Sequence, residues 1–581
     1  MKYDDLLVSH TGEFGRYQKL QLIIITLPFT FVSMQLLSWT FTAGELSHQC
    51  KIVDTDKDAA DNPWSFRSRS VGSYADAYNS YLKTIAENNL NVSLECERIV
   101  NFNISEGTNT SFKIEPCTEW NYDLSEISYS AVNRWNIVCG RHWIRATIQS
   151  LYYVGEMIGS ISLGFIGDRY GRKPTVMVGI VVTLLSGTLM CCVPWLETFG
   201  ALRLLIGLVD PGLVMMPYVI GAEMVGPNKR YVCAVLGGLF FAFGQIILCG
   251  LAYFIRDYRY LQLAVSVPVA VLLVYFWVLP ESPRWLISQG RKEGAEAVLK
   301  KVAKVNGRRL PETWWDDLDE LERHSSVNDK KNGSNEQRST FVDVFRNGVI
   351  RRRALIQFFC FPTANLVYYG ISTNPSFLGG DKYVSFLLAG IAELPGVLVV
   401  ALSANRLGRK LVCVVGFAAS GVLLVATLLI PSNQFRILLL LVTLAKVIIT
   451  VVYSMEYMWT PELFPTVVRS QAMGICAMTA RLDGIIASFL AMLLVDYSRE
   501  SVVVVFATCA VTASGLSMLQ PETSNAPLLQ TVEELTENDR AMRVLSFKTL
   551  TLSKTTEPHE SDNLAQPVDD RHMADKNNCV L

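Results

Sequence analysis

The sequence predicts an all-α, polytopic membrane protein of twelve transmembrane helices arranged as two pseudo-symmetric six-helix bundles. Three observations predict it. Half of the 581 residues are hydrophobic and only 18% are charged, with a mean hydropathy of +0.27, which is too apolar for one soluble core of this length. Apolar runs of bilayer-spanning length recur along the chain. A charged, glycine-rich hinge, Gly164-Phe165-Ile166-Gly167-Asp168-Arg169-Tyr170-Gly171-Arg172-Lys173, lies between two such runs and is echoed in the second half by Asn405-Arg406-Leu407-Gly408-Arg409-Lys410. Two more pairs keep the same order: Glu223 with Arg230 answers Glu462 with Arg469, and Pro280-Glu281-Ser282 answers Pro521-Glu522-Thr523. Three signatures repeated in order imply a duplicated six-span half, a plan common among secondary transporters.

Residues 1–19 are polar and read as a cytosolic N-terminus. The N-terminal bundle occupies 20–280, with apolar runs at about 20–41, 144–166, 174–193, 199–220, 231–254 and 260–279. The first run lacks a basic n-region and a small-residue cleavage site, so it reads as a retained span, kinked at most by Pro28. A polar insertion, 42–143, carries Cys50, Cys96, Cys117 and Cys139 together with glycosylation acceptors at Asn91, Asn103 and Asn109. Both features belong outside the cell: the cysteines suggest two disulfides of open connectivity, and three sequons in one loop suggest glycans rather than chance matches.

Residues 281–353 form a charged loop whose start, around Trp285 and Ala295 to Val302, reads as amphipathic helices against the inner membrane surface. Lysine and arginine in this loop and in the first hinge put both in the cytosol by the positive-inside rule. The C-terminal bundle, 354–519, has runs at about 354–373, 383–404, 411–430, 435–458, 471–495 and 501–519, and the polar tail 520–581 reads as cytosolic and disordered. Its apolar last residue, Leu581, leaves room for a C-terminal adaptor protein. The plasma membrane is the expected location. The net charge of −1 says nothing about partners, because the charges are segregated into loops; membrane lipid and a small organic ion are expected, and no nucleic acid.

The hinge needs a physical reason. Asp168 is placed to cap a neighbouring helix, while Arg169, Arg172 and Lys173 are placed to pair with acids at the ends of adjacent spans, Glu223 and Glu462 being the natural partners. With Arg230, Arg406, Arg409 and Arg469 these form candidate gating latches, made and broken as the halves rock, or else plain topology-setting charges. Asn405 replaces the acid and Ala401 the first glycine, so the second latch is expected to be the weaker.

The pattern G-x-x-x-D-R-x-G-R-K resembles the major facilitator superfamily. The long first extracellular loop, Phe254-Ile255-Arg256-Asp257, the run from Pro280 to Gly290 and Pro461-Glu462-Leu463-Phe464-Pro465-Thr466-Val467-Val468-Arg469 narrow the resemblance to its branch of organic cation, organic anion and carnitine transporters, over the chain from Tyr3 to about Thr523. The resemblance implies the major facilitator fold and alternating access.

Substrate chemistry should come from charges within the spans, since an ionisable group at that depth costs about 3 kcal/mol or more unless it faces a cavity or a partner. Arg481 is the most informative: the matching position looks like arginine in the branch's anion and carnitine carriers and like aspartate in many cation carriers, and a guanidinium there suits a carboxylate, unless it is paired internally for structure. Asp483, two residues on, points elsewhere. Lys446 is a second anion contact or a partner for Glu456 or Glu393. Glu393 matches a family acid and suits a cationic head group or a coupling ion. Asp210 precedes Pro211-Gly212, where a broken helix would expose carbonyls beside the carboxylate. Glu156 departs from the family pattern and marks either a binding preference of its own or a gate contact. Tyr152, Tyr153, Tyr218, Phe361, Tyr368, Tyr369, Tyr453 and Tyr457 offer ring faces for an onium ion or simple packing; Tyr368 and Tyr369 stand out because Asn365 and Gly370 interrupt their span.

Acids, aromatics and one arginine fit a carrier of organic cations or carnitine-like zwitterions. The rival readings are an organic anion exchanger using Arg481 and Lys446, and a transporter-fold receptor or scaffold. No phosphate-binding loop, metal-ligand cluster or activated nucleophile is present in the sequence, so neither an enzyme nor a cofactor is expected; coupling to sodium or protons stays open.

Overall fold

The computed structural model describes residues 6–44, 46–50, 95–103, 111–125, 127–226, 229–312, 314–315, 347–373, 381–403, 406–431, 433–494, 498–524 and 535–536. Twelve long helical segments are present among the described residues. The first half contains α1 (Arg16–Thr42), α2 (Trp143–Tyr170), α3 (Arg172–Leu189), α4 (Leu196–Met224), α5 (Tyr231–Phe254) and α6 (Tyr258–Val278). The second contains α7 (Gly348–Thr373), α8 (Lys382–Ser403), α9 (Arg409–Leu428), α10 (Phe435–Leu463), α11 (Thr466–Phe489, extended by a π-helical turn Leu490–Leu494) and α12 (Arg499–Ser517). Ten of these are apolar enough throughout to span a bilayer by composition. The other two are α2, whose interior holds Arg145, Gln149, Tyr152, Tyr153 and Glu156, and α3, which opens on the charged Arg172 and Lys173 of the hinge.

Several helices run past the apolar stretch that announces them. α2 continues through Asp168 and Arg169, and α7 begins six residues before its apolar run. Backbone hydrogen bonding does not stop where the hydrocarbon does, and charged side chains at a helix end reach the interface. α1 is jointed at Leu27, and Pro28 opens its second segment, where a missing N–H costs nothing.

The proline expected to break α4 does not. Leu196–Met224 stays helical through both Pro211 and Pro217, so the exposed carbonyls anticipated beside Asp210 are not formed by a break; the packed neighbours hold the chain helical across the lost N–H. α7 likewise runs unbroken through Asn365 and Gly370. Asn365 donates to the Phe361 carbonyl one turn back at 2.8 Å, and Gly370 leaves space for the Phe506 ring, which would stand 2.4 Å from an added Cβ.

In the first half, α2 and α4 cross at backbone contact. A Cβ built on Gly159 would lie 2.0 Å from the Leu208 carbonyl oxygen, one on Gly207 2.1 Å from that of Tyr152, and one on Gly155 2.3 Å from that of Leu204. Small residues at i and i+4 on one face permit this approach.

The insertion adds strands to the expected all-α plan: β1 (His48–Cys50) pairs antiparallel with β4 (Trp120–Tyr122), and β2 (Glu97–Asn103) with β3 (Ser111–Pro116). Cys50 bonds to Cys117 and Cys96 to Cys139, fixing the connectivity left open by the sequence. The insertion docks on the loop between α5 and α6, where Tyr258 donates its N–H to Tyr129 O at 2.9 Å and Ser128 to Arg256 O at 3.1 Å. Of the glycosylation acceptors, Asn103 ends β2, while Asn91 and Asn109 lie outside the described residues.

At the opposite end, helices Pro283–Ser288 and Lys292–Val305 bury Leu286, Ala295 and Leu299 against Trp285, Trp314 and the N-terminal Leu6 and Leu7. Asn306 donates to Thr11 O at 2.8 Å and Arg308 to Val8 O and Ser9 O at 2.9 Å, tying the start of the chain to this loop. The tail was expected to be disordered, yet Leu535 is buried in the core and Asn347 donates to the Thr536 hydroxyl at 3.3 Å. The remainder of the tail lies outside the described residues.

Candidate functional site

Two features organise the bundle: a charged centre between the halves and a pair of matched clasps at the end opposite the insertion. In the centre, Arg481 of α11 donates to the Glu156 carboxylate of α2 at 2.9 Å. This ion pair joins the two halves, and Asp210 on α4, itself buried, lies within electrostatic reach of both partners. Beside it the Tyr153 ring packs edge-on against Tyr369 at 5.8 Å and fills the space over Gly484, where an added Cβ would meet it at 2.7 Å.

Deeper in the second half, Lys446 of α10 pairs with Glu393 of α8 at 3.2 Å, with side chains 0% and 3% exposed. Lys446 also donates to the Ser372 hydroxyl at 2.5 Å and to Tyr368 O at 3.3 Å, and Tyr368 donates its hydroxyl to Glu393 at 2.6 Å. Of the alternatives open for Lys446, the structure selects Glu393. Glu456 is held by the Gln357 amide instead. Stacking of Tyr368 on Tyr453 (4.7 Å between centroids) continues through Tyr457 to Phe361, and Tyr369 closes the cluster edge-on against Tyr368. These rings, Tyr153 and the two ion pairs are thereby one connected unit. Tyr218, by contrast, is exposed on α4.

The clasps explain the repeated signatures. Gly171 precedes α3 with φ +113° and Gly408 precedes α9 with φ +83°, a region that favours glycine. An added Cβ there would also sit 2.6 Å from the Glu281 carboxylate and 2.5 Å from that of Glu522. Each carboxylate receives the first two N–H groups of its helix: Glu281 from Arg172 and Lys173 at 3.1 Å, Glu522 from Arg409 and Lys410 at 3.0 Å. They therefore cap the positive ends of α3 and α9. Arg172 then reaches Glu223 at 3.6 Å and Arg409 reaches Glu462 at 3.1 Å. Ser282 donates to Glu223, and Thr523 to Glu462 at 2.6 Å. Arg230 and Arg469 donate to carbonyls at the ends of α4 and α10, Ala222 O at 3.2 Å and Pro461 O at 2.7 Å.

One expectation is corrected here. Asp168 is not a helix cap: its side chain is 80% exposed and, among the described residues, meets only Arg172 of its own loop, at 3.4 Å; Glu281, reading as a repeat in sequence but given no role there, has that position. The contacts described above for each clasp join elements of one half. The second clasp, expected to be the weaker, has an arginine–glutamate contact of 3.1 Å against 3.6 Å in the first; Asn405 itself lies outside the described residues. Arg169 rests on the Tyr170 ring at 5.6 Å, Lys173 donates to Phe276 O at 2.8 Å, and Arg406 is exposed. Glu281→Ala is expected to lower stability by about 1–2 kcal/mol, the loss of a charged cap with two hydrogen bonds. A thermal melt of detergent-purified protein checks it, and an unchanged melting temperature would contradict the clasp.

Sequence reading also overlooked Arg203, fully buried on α4, which donates to Gln35 O at 2.9 Å, Leu36 O at 3.1 Å and Gln149 at 3.0 Å. It lies in the apolar run 199–220, near the start of α4. Gln357, the partner of Glu456, was neutral and drew no notice.

Two repeated six-helix halves, joined at their centre by the Arg481–Glu156 pair beside buried tyrosines, have the architecture of a membrane transporter. Residues 123–534 match the family described as sugar (and other) transporter. An organic cation transporter protein of Drosophila melanogaster is 32% identical, covering 92% of this chain and 94% of its own, and solute carrier family 22 member 2 of Mus musculus is 30% identical over 92% and 96%. The partially occluded, inward-open xylose transporter XylE from E. coli shares the fold with a TM-score of 0.56 at 15% identity, covering 87% of this chain and 99% of its own. The chain belongs to the sugar (and other) transporter family of the major facilitator superfamily, on the branch of the organic cation transporters. It is a multi-pass membrane transporter and not an enzyme.

Proposed function

We propose that the protein carries organic cations across the plasma membrane by alternating access, with both termini cytosolic and the disulfide-bonded insertion outside. The observation that carries this reading is the charge balance of the centre. Each of its cations is matched by a carboxylate, Arg481 by Glu156 and Lys446 by Glu393, and Asp210 adds a third acid. Carboxylates beside a tyrosine cluster suit an onium group, which is attracted by both carboxylates and ring faces. The names of the relatives point the same way. The contacts described between the halves near the insertion, Thr40 to Thr373 O at 3.0 Å and Phe41 against Phe386 at 4.8 Å, give the bundles a hinge about which to rock.

Carnitine-like zwitterions are the second reading, supported by Arg481: at 19% exposure it retains access for a carboxylate tail. An organic anion exchanger is less well supported, since among the described residues each cation of the centre is matched. The test is uptake of labelled tetraethylammonium, carnitine and succinate into cells expressing the protein, with and without sodium. Tetraethylammonium uptake well above that of untransfected cells is expected. Uptake of succinate alone would overturn the cation reading, and uptake of none would favour the receptor.

A further inference from the structure

We infer that Glu156 sets the charge selectivity of this carrier by acting as a built-in counter-ion for Arg481, and this rests on the cation reading above. The geometry is that of a competitor. The Glu156 carboxylate is 4% exposed and sits 2.9 Å from the guanidinium of the opposite half. Its backbone cannot drift away, because Gly155 and Gly159 on either side are in contact with the α4 backbone. Arg481 is surrounded by Tyr369, Tyr453 and Tyr457, which lie within electrostatic reach and carry no charge to compete for it. The pair is one contact, Nη1 to Oε2, so a ligand carboxylate at Arg481 competes with Glu156 for the same positive charge. A ligand cation faces the converse contest: Arg481 holds part of the negative charge it seeks, and Asp210 is the further acid within reach of both partners. Because the pair ties α2 to α11, whichever ligand opens it also loosens a contact between the halves.

Two opposite substitutions test this, with uptake normalised to surface protein by biotinylation. Glu156→Gln releases Arg481 and should raise succinate uptake by about tenfold while raising the KM for tetraethylammonium by a similar factor, the order expected when one buried charge pairing, about 1.4 kcal/mol or more, is lost. Arg481→Gln releases Glu156 and should lower the KM for tetraethylammonium. Wild-type preference in Glu156→Gln overturns the inference. So does an unchanged or higher KM for the cation in Arg481→Gln, a result that counts even where Glu156→Gln fails to reach the surface. Absence of tetraethylammonium uptake by the wild type instead sinks the cation reading itself.

Discussion

Replacing Gly159 with leucine is expected to keep the protein from the cell surface. The hydrogen of Gly159 faces the Leu208 carbonyl so closely that even a methyl carbon would lie 2.0 Å from the oxygen. No flexible side-chain tip is available to move: the obstacle is the backbone of α4, and Gly155 and Gly207 close the same seam from both sides. Overpacking of an ordinary core costs about 1–3 kcal/mol. Here the helices must part along a seam whose association rests on that close packing, so the cost is set at or above the upper end. Gly164→Leu is the control, since nothing lies within 4 Å of its would-be Cβ and it belongs to the same helix. Surface biotinylation and the elution profile of solubilised protein separate the two variants. Wild-type surface levels for Gly159→Leu would mean that the crossing is looser than described. The same seam sets the distance between Glu156 and Asp210, which lie beside its glycines, so Gly159→Ala should disturb the centre before it disturbs folding.

The fold was largely legible because both of its signals are local or repeated. Apolar runs of bilayer length are read one at a time, and the echo of Gly171-Arg172-Lys173 in Gly408-Arg409-Lys410 requires only that the chain be compared with itself. The ends of α2 and α7 were misjudged because hydropathy marks the membrane boundary and hydrogen bonding marks the helix boundary. The sheets of the insertion escaped notice for a different reason: β1 has three residues, and its partner β4 lies far along the chain, just beyond Cys117, to which Cys50 is bonded across 67 residues.

In the site, the charges were visible and their pairings were not. Glu156 and Arg481 are separated by 325 positions and Glu281 from Arg172 by 109, distances over which a sequence pattern carries no geometry. Glu281 and Glu522 show the difference well. Their repetition marked them, but what they do follows from two free N–H groups that exist only once α3 and α9 have started after a glycine at positive φ. Asp210 shows the reverse error, in which a local rule for proline was overridden by tertiary packing.

Replacing Lys446 alone with methionine is expected to cost about 3–5 kcal/mol, because it strands the Glu393 carboxylate in a site where both side chains are inaccessible to solvent. The Tyr368 hydroxyl, 2.6 Å from Glu393, would remain as a donor but brings no charge. The double variant Lys446→Met with Glu393→Leu removes both charges and should regain most of the lost stability, since a buried pair replaced by apolar groups of similar size is often neutral. Transport should not return with it. Lys446 also fixes Tyr368 through its carbonyl at 3.3 Å and stands over its ring, 3.2 Å from the centroid, and that ring stacks on Tyr453. Thermal melts of the purified variants measure the first effect and uptake per surface molecule the second. A double variant that is stable yet inactive assigns the pair to holding the aromatic cluster in place. One that is stable and fully active would confine the pair to folding, and one as unstable as the single variant would show that the charges are needed together.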